Sequence, residues 1–233
     1  MRLNKYLAGL GLASRREIDR LTLAGKILIN GSPASPGQMV DAKDDICVNG
    51  KSVAHRAEKK VYFMLHKPPN VISSAKDWRG RKNVVQLIPC EQRIFPVGRL
   101  DLHTTGLLLL TNDGALSHKI LHPGNEIYKE YLVTISGKLT REDVFLLEKG
   151  MELEDGLTLP AKVKILRNGK EESVVSISIR EGRKRQIRRM FRKLKKPVLA
   201  LQRIRIGELA LKDLPMGEYR ELTGEEVRYL YSL

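Results

Sequence analysis

Hydrophobic residues near the start of the chain recur at the spacing of an amphipathic helix. Positions 3, 6, 7 and 10 are Leu, Tyr, Leu and Leu, and Gly11 follows them as a residue that commonly ends helices. A second helix is predicted after Ser14, because Ser14 and Glu17 have the spacing of a capping box and Gly25 provides the next stop. The pattern therefore predicts two short helices.

Two short β-rich segments follow these helices. Ile27–Ile29 and Ile46–Val48 are each followed by an Asn-Gly pair, which favours tight hairpin turns. The expected unit is two helices packed on a small sheet. Residues 53–60 show neither an apolar period nor a turn signature, so we assign a small N-terminal domain to residues 1–52 and an exposed linker to residues 53–60.

The remaining chain, residues 61–233, mixes strand-like and helix-like segments without a regular strand–helix repeat. β-rich runs are predicted at Val61–Leu65, Tyr131–Ile135, Val174–Ile179 and Val198–Ile206. Helical stretches are predicted at Ala115–Leu121, Arg141–Lys149, Arg185–Lys196 and Glu225–Tyr231. This arrangement favours an α+β domain, with a largely antiparallel central sheet flanked by helices, over a doubly wound parallel fold.

The most informative feature of the composition is its excess of positive charge. The 233 residues are 42% hydrophobic, enough for a folded core, and their formal net charge is +15. No apolar run approaches the roughly 18–20 residues of a membrane span, and the N-terminus lacks the apolar core of a signal peptide. Cys47 and Cys90 have neither a redox nor a zinc spacing. We expect a cytoplasmic protein with free thiols and a nucleic-acid partner, because phosphate neutralisation releases counterions.

Cofactor chemistry has no support in the sequence. Neither a Gly-x-Gly-x-x-Gly fingerprint nor a phosphate loop with Gly-Lys-Ser/Thr is present. The five histidines do not combine with acids or cysteines at a ligand spacing. We therefore expect no metal and no small-molecule cofactor, so that any catalysis must come from the protein's own side chains.

A loop in the middle of the chain carries a candidate catalytic group. Glycines at positions 98, 106 and 114 bracket a loop that leads into the apolar run Leu107–Leu110. Asp101 therefore lies just before a buried strand, a common position for a catalytic group on a rigid scaffold. The alternative is an aspartate that bonds its own backbone in a turn, and position alone favours that alternative.

A basic segment changes this balance. Residues 181–205 contain 11 Lys or Arg and one Glu, a density typical of a polyanion-binding site. On a helical wheel, positions 187, 190, 191 and 194 form an apolar stripe, whereas the cations at 185, 189, 192 and 196 fall on the far face, solvated or facing phosphate. Arg188 lies at the edge of the stripe, where its guanidinium could enter a cleft and keep a buried Asp101 ionised.

The N-terminal pattern resembles the S4-like RNA-binding domain. The matching pieces are residues 2–7, 13–17 and 25–31, and in that family the module grips structured RNA. The resemblance implies RNA contacts by Lys5, Arg15, Arg16 and Lys26. Arg15 and Arg16 fall in the first turn of the second helix, where cations are unfavourable, so a phosphate clamp would account for them; two solvated charges are the alternative.

The larger domain resembles the pseudouridine synthases of the RsuA/RluB type. The matching segments are Gly98–Asp101 with its Leu-rich strand, Lys129–Val133, Glu181–Met190 and Leu201–Gly207. The resemblance implies that Asp101 is the catalytic aspartate, that Tyr131 stacks near the uracil and that Arg188 pairs with the aspartate. Ordinary strand packing is the alternative for Tyr131.

The same resemblance implies supporting roles for two further residues. Leu201 would form the apolar wall beneath the tyrosine, and Arg99 would hold the opened duplex or the flipped nucleotide. Arg183 begins the basic run and could reach the cleft from the strand-to-helix loop, so it is the reserve candidate for the cleft arginine and a candidate RNA contact.

The function implied by the resemblance is isomerisation of uridine in ribosomal RNA to pseudouridine. The carboxylate could act as a nucleophile on the sugar carbon or as a base on the neighbouring proton, and both routes stay open. Residues 77–81 and 121–123 look more like the branch acting on large-subunit than on small-subunit rRNA, although Trp78 could equally be loop packing. We expect a monomer that acts on rRNA or a pre-ribosomal particle. The rival hypothesis is a non-catalytic RNA-binding or assembly factor on the same scaffold.

Overall fold

A computed structural model describes residues 1–54, 58–77 and 79–233, and these form two compact units. The first unit comprises Met1–Val61, Cys90–Ile94 and Asn112–Gly114, and the second comprises Tyr62–Pro89, Phe95–Thr111 and Ala115–Leu233. Trp78 and positions 55–57 of the predicted linker lie outside the described residues. Within the described ranges, no helix is long and apolar enough to cross a membrane.

The N-terminal unit contains two helices and a four-stranded sheet. Its elements are α1 (Leu3–Gly9), α2 (Arg15–Leu23), β1 (Ile27–Ile29), β2 (Ser32–Pro33), β3 (Ile46–Val48) and β4 (Lys51–Ser52), and the sheet order is β2-β1-β3-β4. Both Asn-Gly pairs form the predicted turns, with positive φ at all four residues. The Ser14 hydroxyl accepts a hydrogen bond from the Glu17 N–H at 3.1 Å. The predicted two helices and small sheet are confirmed.

The core of this unit is formed by the apolar stripes of both helices and the inward side of the sheet. Leu7, Ile18, Ile27 and Ile46 are completely buried there. Val53 is also buried in this core, which differs from the prediction of an exposed linker from residue 53. A single apolar residue after β4 adds to a core without creating any periodicity that a sequence pattern could reveal.

The second unit is an α+β fold built on one large sheet. Its strands are β5 (Tyr62–Lys67), β6 (Phe95–Pro96), β7 (Thr105–Thr111), β8 (Lys129–Ser136), β9 (Glu152–Leu153), β10 (Gly156–Leu157), β11 (Lys162–Asn168), β12 (Glu172–Ile179), β13 (Val198–Ile206), β14 (Leu209–Ala210) and β15 (Tyr219–Glu221). Its helices are α3 (Gly114–Leu121), α4 (Arg141–Lys149), α5 (Gln186–Lys193) and α6 (Gly224–Ser232), with short 3-10 turns at Val84–Leu87 and Pro123–Asn125.

The sheet order is β11-β12-β8-β13-β7-β5-β15, with β14 paired to β13 and β6 paired to β7. Within the described sheet, β13 and β7 are parallel and the other strand pairs are antiparallel. The predicted α+β class with a largely antiparallel sheet is confirmed. β9 and β10 form a separate hairpin.

The predicted elements of this unit are present, although one helix is shorter and six strands, β6, β9, β10, β11, β14 and β15, were not predicted. The helix predicted at Arg185–Lys196 is shorter, because Arg185 and Lys195 both adopt positive φ and lie outside α5. Strand β11 was not predicted, because this edge strand is mostly exposed and rich in polar residues. β5 and β7, by contrast, are deeply buried. They give the loop before β7 a rigid base.

Candidate active site

A buried lysine anchors the loop that carries Asp101. Lys67, the last residue of β5, is 0% exposed. Its ammonium group donates hydrogen bonds to the carbonyls of Pro68, Leu102 and Thr104 at 3.0, 3.2 and 2.9 Å. Burial lowers the pKa of Lys67 to about 8, against the attraction of the Asp101 carboxylate, which raises it. Sequence analysis missed this residue, which is separated from the apolar run of β5 by His66.

A close backbone contact fixes the same loop from the other side. Gly106 in β7 lies opposite Arg203 in β13 and has a φ of +105°. A Cβ atom at this position would lie 2.2 Å from the Arg203 carbonyl oxygen, so only glycine allows this approach. The contact sets the beginning of β7, and with it the Asp101 loop, directly against β13.

Asp101 lies at the exposed tip of this loop. Leu100 and Thr104, which flank the exposed residues 101–103, are buried. The Thr104 N–H donates to the Asp101 carbonyl at 3.0 Å, and Ser73 exchanges two hydrogen bonds with the backbone of Leu100. The position before a buried strand is confirmed. The expected burial of the carboxylate is wrong, because Asp101, Leu102 and His103 all project from the loop into solvent.

Arg188 lies on α5 within electrostatic reach of Asp101 but does not form a close ion pair with it. In the described part of the chain, no N···O distance within 4.0 Å joins the two side chains. The Arg188 guanidinium is half-buried and donates to the Val198 carbonyl at 3.3 Å. Burial lowers the pKa of Arg188, and the Asp101 charge acts in the opposite direction.

Tyr131 and Leu201 lie on the same face of the central sheet. Tyr131 in β8 pairs with Arg203 in β13, and Leu201 pairs with Val133. Because directly paired residues, and alternate residues of one strand, point to the same side, these four side chains share one face. Tyr131 is 9% exposed and Leu201 6%. Two strand spacings, about 10 Å, separate the Tyr131 backbone from β7.

Two further cations, both missed in the sequence, occupy this face. Arg203 is almost fully buried, and its Nε donates to the Leu107 carbonyl at 2.8 Å. Lys129, two residues before Tyr131, is half-buried. Burial lowers the pKa of Lys129, and the nearby Arg203 charge lowers it further. Both strands contain other polar residues, so the sequence gives no signal that sets these two cations apart.

The exposed surface of α5 supplies further positive charge. A shallow cavity of about 270 Å³ is lined by Lys184, Arg185, Arg188, Arg189 and Arg192, together with Glu154 and Asp155. Arg185 and Arg192 are exposed, as predicted. Arg189 was expected to be solvated or to face phosphate. In the structure both of its terminal nitrogens donate to the Asp155 carboxylate at 2.8 Å. This cavity is suited to phosphate oxygens.

Arg183 and Arg99 differ in their surroundings. Arg183 donates to the Glu181 carboxylate and to the Gly156 and Leu157 carbonyls. Its guanidinium therefore holds the β9–β10 hairpin and does not extend toward Asp101, contrary to its prediction as a cleft arginine. Arg99 is exposed, two residues before Asp101.

The four cations predicted in the N-terminal unit lie on its surface. Lys5, Arg15, Arg16 and Lys26 are all exposed. Among the residues that the structure describes, none of the four forms an ion pair, whereas Arg20 pairs with Glu17. These charges are therefore available to an external anion.

The residues around Asp101 suit acid–base or nucleophilic chemistry on a planar ring. An exposed carboxylate, a tyrosine ring and several half-buried cations belong to one compact unit. In the described ranges, no group of three or more His, Cys, Asp or Glu side chains is arranged to hold a metal ion.

Two family models match the chain. The RNA pseudouridylate synthase model matches residues 61–193, and the S4 domain model matches residues 1–46. The first match covers more than half of the chain and contains the Asp101 loop, Tyr131 and Arg188.

Known proteins are similar along the whole length. The chain is 44% identical over 236 aligned positions to ribosomal large subunit pseudouridine synthase B of Bacillus subtilis (strain 168), covering 100% of this chain and 96% of that protein. It is 39% identical to the dual-specificity RNA pseudouridine synthase RluF of Escherichia coli (strain K12), covering 100% and 79%. A crystal structure of a pseudouridylate synthase matches with a TM-score of 0.73 and 33% identity, covering 99% of both chains.

Proposed function

The chain belongs to the RNA pseudouridylate synthase family, and from this premise we propose that it converts a uridine of large-subunit ribosomal RNA to pseudouridine. The observation that carries the proposal is the exposed Asp101 carboxylate on a rigidly anchored loop, within electrostatic reach of Lys67 and Arg188. A passive RNA-binding protein gains nothing from a carboxylate among phosphates, because like charges repel. The large-subunit assignment is supported by the name of the relative at 44% identity.

The chemistry needs only groups that this chain contains. The bond between the sugar C1′ and uracil N1 breaks, the uracil turns, and its C5 joins C1′. Asp101 either attacks C1′ or removes the proton from C2′, and both roles suit an exposed carboxylate. The target nucleotide must first leave the base stack, at a cost of a few kcal/mol. We propose that the flipped uracil stacks on Tyr131, with Leu201 as the apolar wall beneath that ring.

Binding of the RNA is assigned to exposed cations of each unit. In the N-terminal unit these are Lys5, Arg15, Arg16 and Lys26; in the second unit they are Arg99, Arg185 and Arg192. We propose that the protein acts as a monomer in the cytoplasm, on rRNA or a pre-ribosomal particle. The isomerisation has no step that requires a cofactor.

The direct test uses purified protein and two ribosomal RNA transcripts. Large- and small-subunit transcripts are incubated separately with the wild type, Asp101→Asn and a control, Asp213→Asn, which removes an exposed carboxylate elsewhere. Pseudouridines are then mapped by chemical modification and primer extension. We expect one new pseudouridine in the large-subunit transcript with the wild type and the control. Asp101→Asn should form none, while its affinity for RNA stays within about twofold.

Each alternative gives a distinct result. Modification of the small-subunit transcript would move the substrate to that RNA. Binding without modification of either transcript or of isolated pre-ribosomal particles would support the non-catalytic factor. Substantial turnover by Asp101→Asn would remove the aspartate from the mechanism.

A further inference from the structure

Two positive side chains border Tyr131 on the same face of the sheet. Arg203 pairs directly with Tyr131 across the β8–β13 ladder, and Lys129 lies two residues along β8 from the tyrosine. Alternate residues of a strand share a face, so both cations point to the side on which the ring lies. One cation lies across the ladder from the tyrosine and the other lies along the same strand.

Arg203 has hydrogen-bonding capacity that the protein does not use. Its side chain is nearly buried, and within the described ranges its Nε is the one side-chain nitrogen with an acceptor, the Leu107 carbonyl at 2.8 Å. One terminal nitrogen, Nη2, is buried without a hydrogen-bond partner among the described residues. Buried donors are rarely left unpaired, so this nitrogen indicates an acceptor that arrives with a ligand.

Lys129 is in a similar position. It is half-buried beside a charge of its own sign, and the described ion pairs include none with Lys129 or Arg203. The neighbouring carboxylate, Glu130, points to the opposite face, where it accepts from Arg205 and Ser176. Two adjacent, partly desolvated cations that form no ion pair with any described residue favour the arrival of negative charge.

The geometry points to Lys129 and Arg203 as the pair that stabilises the negative charge developing on the uracil ring when its bond to the sugar breaks. This role rests on the proposed function of the same site. As C1′–N1 breaks, the bonding electron pair leaves with the uracil, whose O2 and O4 share the charge. In one route Asp101 forms the new bond to C1′; in the other it takes the C2′ proton and a C1′–C2′ double bond forms. In either case the uracil departs as an anion.

The position of the pair favours the uracil over a backbone phosphate. Arg203 is buried in the sheet, and Lys129 is half-buried next to the proposed stacking ring. Arg99, Arg185 and Arg192 are exposed and better placed for phosphates. A preorganised charge that meets its partner only as the bond breaks lowers the barrier without strengthening ground-state binding.

The test combines Lys129→Gln with a change in the leaving group. RNA carrying either uridine or 5-fluorouridine at the target position is followed in single turnover at saturating protein. Fluorine withdraws electrons and makes uracil a better leaving group. It also blocks the final loss of the C5 proton, so disappearance of the starting nucleoside after digestion reports cleavage with both substrates.

We expect Lys129→Gln to slow cleavage of the uridine substrate about 100-fold, in the range for loss of one charge-stabilising donor. The RNA dissociation constant should stay within about twofold. With 5-fluorouridine the loss should shrink to about 10-fold or less, because less charge needs stabilisation. Lys129→Arg should retain most of the rate, and Arg203→Lys should show the same dependence on the leaving group. The control Lys164→Gln, at an exposed position of β11, should match the wild type.

Several results would overturn the inference. These are normal cleavage by Lys129→Gln, an equal loss with both bases, or a loss confined to RNA affinity, which would indicate a phosphate contact. Thermal unfolding of each variant separates misfolding from a chemical effect. If Lys129→Gln has lost its fold, Lys129→Met, which also removes the charge, takes its place in the same comparison, and an equal loss with both bases again counts against the role. If the wild type itself forms no pseudouridine, the proposed function fails; if it does and these contrasts are absent, only the role of the pair fails.

Discussion

Replacing Gly106 with alanine should damage the site through the backbone alone, without removing any functional group. The added Cβ would lie 2.2 Å from the carbonyl oxygen and 2.6 Å from the nitrogen of Arg203. Since such contacts below 3.0 Å essentially do not occur, the oxygen contact alone requires a shift from 2.2 to at least 3.0 Å between β7 and β13. The φ of +105° adds backbone strain for any residue with a side chain.

The expected loss of stability follows from these two effects. Strain at an unfavourable φ costs roughly 1–3 kcal/mol, and overpacking costs roughly 1–3 kcal/mol. Together they lower the free energy of unfolding by roughly 2–6 kcal/mol, out of the roughly 5–15 kcal/mol typical of a folded protein. The variant should therefore fold, with a clearly lower midpoint in thermal unfolding.

The rate should fall more than the RNA affinity. A shift of β7 moves the Asp101 loop away from the face that carries Tyr131 and Arg203, and a displacement of about 1 Å can cost on the order of 100-fold in rate. No cation is lost, so the dissociation constant for RNA should change less than about twofold. Single-turnover pseudouridine formation at saturating RNA and an equilibrium binding titration measure the two effects separately.

Gly224→Ala is the matched control. Gly224 is the first residue of α6, and a Cβ there would meet the Arg228 guanidinium at an ordinary 3.5 Å. This variant should keep its rate and its stability, because alanine favours a helix. A Gly106→Ala protein with wild-type stability and rate would refute the close contact between the strands. A destabilised variant with a normal rate would refute the coupling between this contact and Asp101.

Three further predictions concern charges. Arg188→Met should lower the single-turnover rate at saturating RNA, because Arg188 interacts electrostatically with Asp101. Arg192→Met should mainly raise the RNA concentration needed for half saturation. If instead Arg192→Met lowered the rate and Arg188→Met only weakened binding, the roles of the two arginines would be exchanged. Asp155→Asn should strengthen non-specific RNA binding a few-fold and steepen its salt dependence, because the Arg189 guanidinium loses its ion-pair partner and becomes available to phosphate. Weaker RNA binding by this variant would contradict the prediction. The free energy of unfolding should rise between pH 8 and 10.5. The pKa of Lys67 is about 8 in the folded protein and 10.5 ordinarily, so in this range the unfolded chain binds more protons than the folded one. Urea titrations of Lys67→Met should lack this rise.

Local patterns predicted the elements well where the signal is contained in adjacent residues. The bounds of α4 and β13 match the prediction, and both Asn-Gly turns of the N-terminal unit are present. The C-terminal part of the α5 prediction failed because Lys195 adopts a positive φ, for which its sequence gives no signal. The alternation of polar and apolar residues in β11 covers only positions 162–165 and stops at the register shift between Ile165 and Arg167, so it is too short to identify a strand that is mostly exposed.

The candidate site was predictable only in part, because its geometry depends on contacts between distant segments. The loop of Asp101 and the strand of Tyr131 could be found from local pattern and resemblance. The burial of Lys67 could not, because lysine is usually exposed and its three acceptors lie up to 37 residues away. The pairing of Arg189 with Asp155 likewise joins positions 34 residues apart.

The position of β13 between β8 and β7 has a consequence for how the enzyme forms. Residues 62–179 contain β5 and β7 on one side of it and β8, β12 and β11 on the other, and in the described sheet these two groups are joined through residues 198–206. During synthesis β8 and β7 emerge from the ribosome well before β13. Until β13 enters, one edge of β8 and the Thr105–Gly106 end of β7 lack their partner strand, which exposes them to wrong pairing. Such non-local pairing is slow. Late insertion of β13 would therefore limit the rate at which a newly made chain becomes active. The unpaired strand edges present before this insertion are the surfaces that a chaperone would protect.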